Sequence, residues 1–405
     1  MRATAARLRA RKHELAVLMT HEMGKTVQSA RAEVEKCAWV CEYFAENAER
    51  FLAAEPVETD ASRSYVTSNP IGVVLAVMPW NFPFWQVFRF VAPALMAGNA
   101  GLLKHASNVQ GCALAIEDVL RDAGAPQGLF RALLVSGHRI PALIADTRIA
   151  AVTLTGSTEA GRSVGSAAGH EIKKSVLAQR GSGAYLVLED ADLDLAASTC
   201  VASRMINGGQ SCIAAKRFIV VESVAAEFEQ RVVDCMQAIG MGNPLEQSTQ
   251  LGPMARVDLR DELHDQVERS ISQGADLVVG GAIPPGPGAF YPPTVLTNVG
   301  PGNPAFVEEL FGPVATIVRA RGEAHAIELA NDSVFGLGAA VFTRDVQKGE
   351  RIAANELEAG HCAVNSSVKS DPRLPFGGVK TSGYGRELSW YGIKEFTNIK
   401  TVYIA

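Results

Sequence analysis

The chain has 405 residues, 47% of them hydrophobic and 20% charged, with a formal net charge of −5. That length is too great for one typical core and suits two large domains. No long run of one sign occurs, which speaks against a nucleic-acid or anionic-membrane partner, since either needs a clustered basic footprint. Seven cysteines stand at positions 37, 41, 112, 200, 212, 235 and 362, with no Cys-x-x-Cys pair and no zinc spacing. A reduced cytoplasmic protein without a metal site is expected.

In chain order, residues 3–53 read as two helices with Gly24 as the break. The arginine-rich start, MRATAARLRARKHELA, resembles a transit peptide in composition, but Leu8, Leu15, Leu18 and Met19 recur at helical spacing, and a surface helix is the better reading. The β-prone Tyr65, Val66 and Thr67 follow. IGVVLAVM (71–78) predicts a buried strand; the apolar run continues to Phe88, but Pro79, Asn81, Pro83 and Gln86 turn it into a polar loop rather than a membrane span. LLKH (102–105) is a second strand, 113–124 a helix ending at a glycine, 130–136 a strand, and 149–157 a strand meeting a glycine turn that opens a helix. Such alternation implies a parallel sheet with crossover helices. A second αβ series spans 191–342, with strands at 217–223 and 339–343 and a helix at 224–239; proline and glycine at 284–302 mark surface loops. The last residues, NIKTVYIA, form a strand.

Several loops carry chemistry-bearing residues. Cys212 lies in NGGQSCIAAKRFIVV, in a glycine-rich loop before a strand, where backbone N–H groups can approach a thiol. Taken alone, a buried inert cysteine is the commoner outcome. Asn81 in PWNFP is a stiff amide donor suited to an oxyanion, and equally a turn asparagine. In TLTGSTEAG (153–161), Gly156 and Ser157 precede a helix N-terminus that can bind phosphate, although the spacing is not the usual dinucleotide fingerprint. Lys104 ends a strand and suits a ribose or phosphate, or is simply a solvated strand end. EELFGPV (308–314) and LPFGGVKTSGYGRE (374–387) have the composition of site-lining loops.

Together these segments resemble the aldehyde dehydrogenase superfamily, in the family's order and over nearly the whole chain, and most resemble its succinate-semialdehyde dehydrogenase branch. The resemblance implies an α/β fold of two domains with parallel sheets and a small β-hairpin oligomerisation extension. The cofactor domain would span residues 1–179, with the hairpin near 55–70 belonging to the extension; the catalytic thiol domain would span 180–385, and the C-terminal segment and strand 386–405. It implies Cys212 as nucleophile, and Asn81 with the Cys212 N–H as the oxyanion site. Lys104 would hold the adenosine ribose and support the catalytic site. Gly156 and Ser157 would hold the pyrophosphate, and Glu309 and Phe311 the nicotinamide ribose and ring. Trp80 and Phe376 match site-lining aromatics. Arg89 matches an arginine that pairs with a substrate carboxylate; a solvated helix arginine is the alternative. The cofactor would be NADP or NAD. Ser107 stands where NAD-preferring relatives often carry a glutamate, so NADP is accepted; a neutral Ser107 would admit both.

Two departures from the family pattern stand out. Residues 178–185 read AQRGSGAY where the family usually shows Glu-Leu-Gly-Gly-Ser-Asp-Pro-Phe. Ala178 thus occupies the general-base position, and Arg180 replaces a glycine where a tight turn would make it clash. Loss of a general base typically costs about 10²–10⁴ in rate. The expected activity is oxidation of an aldehyde, with succinate semialdehyde as the candidate, through a Cys212 thiohemiacetal and thioester, with slowed deacylation. Transfer of the acyl group to another nucleophile, or a non-catalytic homologue, are the alternatives. The second departure is a start several dozen residues later than in most family members. A homodimer or homotetramer is expected.

Overall fold

The computed structural model describes residues 1–405. The N-terminal region forms three helices, Arg2–Ala10, Lys12–Met23 and Val27–Leu52, rather than two. Gly24 is the expected break: it ends the second helix with φ 78°, and a Cβ there would meet Pro253 O at 2.7 Å. The extra break, at Arg11, has φ −100° and ψ 11° and carries no glycine or proline, so composition could not reveal it. Val34, Cys37, Ala38, Cys41, Phe44 and Ala48 line one face of the long third helix and join the largest core cluster, of 44 residues. That cluster packs these helices and the helix Trp85–Met96 against one face of the first sheet.

The first sheet has six strands in the order Gly383–Tyr384, Lys174–Ala178, Ile149–Thr155, Val73–Met78, Ala100–His105 and Phe130–Ala132. All neighbours are parallel except the first pair. The strand expected at 130–136 stops at Ala132, while the one at 102–105 begins earlier, at Ala100. From Val73–Met78 the chain builds outward through Ala100–His105 to Phe130–Ala132. It then returns to the other side of Val73–Met78 to lay down Ile149–Thr155 and Lys174–Ala178. The order therefore reverses between Val73–Met78 and Ile149–Thr155, and ligands in such sheets bind beyond the carboxyl ends of the strands at that reversal.

Between Ala178 and Gly183 the chain passes to a second sheet of seven strands: Asp276–Val279, Thr294–Thr297, Val314–Ala320, Ala215–Val221, Gly183–Val187, Ala339–Phe342 and Cys362–Val364. It is parallel apart from the Asp276–Val279 edge. Clusters of 26 and 21 buried residues cover its two faces. The stretch 284–302 is not all surface loop: Thr294–Thr297 is a fully buried strand, its β-branched residues set between Pro293 and Asn298. Gly383–Tyr384, expected within the second domain, pairs instead with Lys174–Ala178 of the first sheet.

The α/β fold with parallel sheets and a small antiparallel extension is present as expected. In that extension Arg63–Pro70 pairs antiparallel with Glu55–Pro56 and with Thr397–Ile404, the latter in register from Thr397↔Pro70 to Ile404↔Arg63. No helix is long and apolar enough to cross a membrane.

Candidate active site

The cleft lies where the topology puts it. Pro79, Trp80 and Asn81 follow the strand Val73–Met78, and Gly156 and Ser157 follow Ile149–Thr155, on the two sides of the reversal. Cys212, Glu309 and Phe311 come to the same cleft, which spans about 770 Å³ including its opening to solvent. Of the candidate residues, Trp80, Asn81, Gly156, Ser157, Cys212, Glu309 and Phe311 line it together. The Trp80 and Phe311 rings meet edge to face at 5.7 Å. Ser157 caps the helix Thr158–His170, its hydroxyl accepting from Ala160 N at 3.2 Å. The first amides of that helix have no carbonyl behind them and suit an anion.

The loop carrying Asn81 is held by His105, which is buried. Its Nε2 donates to Pro83 O at 2.8 Å, and its Nδ1 accepts from Ala106 N at 3.0 Å. Burial pushes this imidazole below its usual range. Asn81 Nδ2 donates to Gln210 O at 3.0 Å, and Asn207 Nδ2 donates to Asn81 O at 2.7 Å, so the Asn81 and Cys212 loops brace each other. An amide nitrogen has two protons; Gln210 uses one and the second is free for the cleft. The Cys212 thiol is pushed up by burial, while Arg89 and Lys216 pull it back toward ionisation.

The remaining candidates do not line this cleft. Lys104 is half-buried near the carboxyl end of the neighbouring strand, its ammonium lowered by burial, and Ser107 is exposed just beyond it. Arg89 is neither solvated nor free. Its side chain is 2% exposed, Nη2 lies 2.7 Å from Glu387 Oε2 and donates to Thr155 Oγ1 at 3.2 Å, and the guanidinium stacks 4.6 Å over the Phe376 ring. Burial raises the Glu387 carboxyl, and Arg89 opposes that shift. Phe376 is buried beneath this pair, bonded both ways to the Glu387 backbone, rather than facing the cleft.

Ala178 ends its strand, buried, and its carbonyl accepts from Gly156 N at 3.1 Å. No carboxylate stands at this position. Arg180 does not clash: its φ is not positive, and it extends into the cleft, half-exposed, with Nε 3.6 Å from Glu309 Oε2. The tight approach falls on Gly181, where a Cβ would meet Cys212 O at 2.8 Å. Gln179 packs on Gly161, in the first turns of the helix after Ser157, so closely that a Cβ there would overlap its amide.

Sequence reasoning missed part of the wall. Leu259, Leu263 and Gln266 line the cleft from the helix Val257–Ser272. Their spacing was visible, but it is the spacing of any helix face buried in a core. Lys216, behind Cys212 and 3.0 Å from Glu309 Oε1, looked like an ordinary strand residue.

The chain matches the aldehyde dehydrogenase family over residues 1–402. It belongs to that family. This aldehyde dehydrogenase is 53% identical over 405 residues to a probable NADP(+) succinate-semialdehyde dehydrogenase of Synechocystis, covering 100% of this chain and 89% of that protein. It is 51% identical over 396 residues to the NAD(P)+ succinate semialdehyde dehydrogenase Sad of Escherichia coli, covering 98% and 86%. The crystal structure of succinic semialdehyde dehydrogenase from Streptococcus pyogenes in complex with NADP+ superposes with a TM-score of 0.97 at 38% identity, covering 100% of this aldehyde dehydrogenase and 88% of that chain. The chemistry of the cleft fits a dinucleotide: unpaired helix amides suit an anion, the Glu309 carboxylate can accept from hydroxyls, and Phe311 with Trp80 forms an aromatic wall.

Proposed function

We propose that this aldehyde dehydrogenase oxidises succinate semialdehyde to the acid with NADP as the preferred hydride acceptor, and that release of the acyl group is its slow step. The convergence of Cys212, the Asn81 amide and Glu309 on one cleft carries this reading. The Cys212 thiolate adds to the aldehyde carbon, and the new oxyanion accepts from Asn81 Nδ2 and the Cys212 N–H. The nicotinamide, when bound, supplies the hydride acceptor. Gly156, Ser157 and the helix behind them would hold its phosphates, Glu309 its ribose, and Lys104 and Ser107 the adenosine side. Loss of hydride from the substrate carbon leaves a thioester on Cys212. Hydrolysis needs a group to take a proton from water, and Ala178 offers none. Glu309 is held by Lys216, and Glu387 lies behind Arg89 outside the cleft lining.

Succinate semialdehyde is favoured by the relatives at about half identity. Arg89 is sealed against Glu387 outside the cleft lining, so a distal carboxylate would have to share its guanidinium with Glu387. The exposed strand Thr397–Ile404, with Ile399, Tyr403 and Ile404 outward, supports a homodimer or homotetramer. Seven unpaired cysteines support a reducing compartment such as the cytoplasm.

Rapid mixing with succinate semialdehyde and NADP tests this reading. It requires a burst of reduced cofactor near one equivalent per subunit, then slow turnover, with both lost in Cys212→Ala. Acceleration by coenzyme A would point to acyl transfer, which the missing carboxylate at Ala178 also favours. Absence of both a burst and steady turnover would mean a non-catalytic homologue.

A further inference from the structure

Lys216 is the second residue of the strand Ala215–Val221, which leads away from the nucleophile loop, and its side chain is 2% exposed. An ammonium has three protons, and here each has a destination. Nζ donates to Ser211 O at 2.9 Å and to Cys212 O at 3.0 Å, and it lies 3.0 Å from Glu309 Oε1. A buried ammonium without a counter-charge is costly, and Glu309, itself 1% exposed, supplies that charge. Gly181 N donates to the same carboxylate oxygen at 3.2 Å.

The first of those carbonyls has a geometric consequence. Ser211 C=O and Cys212 N–H belong to one planar trans peptide, so they point in opposite directions. A donor that holds Ser211 O therefore fixes where Cys212 N–H points. The second consequence is electrostatic. The charged groups acting on the thiol are Arg89 from the helix Trp85–Met96, Lys216, and Glu309. Arg89 is already matched by Glu387, and Glu309 is shared between Lys216 and Arg180. Those acting on Lys216 are Glu309, Arg204 and the thiol.

We infer that Lys216 is a positioning residue for the nucleophile: it aims the Cys212 N–H at the oxyanion and places a positive charge beside the thiolate, with Glu309 keeping that charge in place. This rests on the reading of Cys212 as the nucleophile.

The test is the pH profile of alkylation by iodoacetamide, with the labelled cysteine identified by mass spectrometry, alongside the burst rate. Lys216→Met is expected to slow Cys212 alkylation at pH 8 about tenfold and move the profile to higher pH, because the nearby charge is gone. Lys216→Arg keeps the charge and should retain the profile, while its burst slows because a planar guanidinium cannot reproduce the three contacts. If Lys216→Met does not fold, Lys216→Gln, which keeps an N–H for the carbonyls, carries the same comparison. A profile unchanged in the neutral variant, with the label still on Cys212, overturns the inference and leaves the nucleophile standing. A label on another cysteine overturns both.

Discussion

Arg180 Nε stands 3.6 Å from Glu309 Oε2, while Lys216 holds the other oxygen of the same carboxylate at 3.0 Å. The two cations differ in setting. Lys216 is sealed behind the cleft, whereas the Arg180 side chain is 42% exposed and can swing away. A ribose that needs Glu309 therefore competes with Arg180 and not with Lys216.

Arg180→Gly should tighten NADP binding. The pair is long and half-solvated, a class worth about 0.2–1 kcal/mol, so the dissociation constant should fall by up to about fivefold. Titration followed by protein fluorescence reads this directly. Weaker binding in the glycine variant would mean that Arg180 contacts the cofactor instead of screening Glu309.

Ala178→Glu should raise steady turnover and leave the burst amplitude near one per subunit or remove it by making deacylation fast. A positioned general base is worth about 10²–10⁴, and the gain here should be partial while Arg180 remains. Arg180→Gly added to it should increase the gain. Steady-state and stopped-flow rates under saturating aldehyde measure both. Fast, burst-free turnover in the unaltered enzyme would show that another group already activates water.

Ser107 is exposed just past the strand that carries Lys104. Ser107→Glu should weaken NADP binding by about tenfold or more and spare NAD, because a carboxylate repels a 2′-phosphate and bonds a 2′-hydroxyl. Equal effects on the two cofactors, measured in parallel titrations, would remove Ser107 from the cofactor site.

Acid should loosen the fold partly through His105. Its folded-state pKa is depressed by burial, while an unfolded histidine protonates near about 6.5. Between the folded value and about 6.5 the unfolded chain therefore binds more protons, so stability is full above that range and is lost as pH falls through it. His361, also lowered by burial, contributes in the same direction. Urea unfolding at several pH values should show a steeper acid loss in the unaltered protein than in His105→Gln, which can still donate to Pro83 O. Equal slopes would exclude His105 as a source.

The order of elements was legible because it is written in local patterns. Alternating apolar strands and amphipathic helices predict a parallel sheet, and glycine turns after strands predict loops at one edge. Cys212, Asn81 and Glu309 could be singled out for the same reason: each sits in a loop whose composition and order match a family. The altered segment at Ala178 and Arg180 was legible too, as a difference in residue type, whereas the consequence expected for Arg180 was not the one found. A clash was expected from the missing glycine, yet the backbone there has no positive φ and the side chain has the cleft to enter.

What the sequence determined by itself is the fold class and the alternation of strands and helices, and it singled out the Cys212 and Asn81 loops as candidates, since these readings depend on neighbours a few residues apart. Only the tertiary structure decided who partners whom. Arg89 belongs to Glu387, Lys216 to Glu309 and two carbonyls of the nucleophile loop, and Leu259, Leu263 and Gln266 to the cleft wall. Those pairings follow from sheet order and from the need of each buried charge for a counter-charge. Neither leaves a periodic trace along the chain, because the partners come from elements that meet only when the two sheets are assembled.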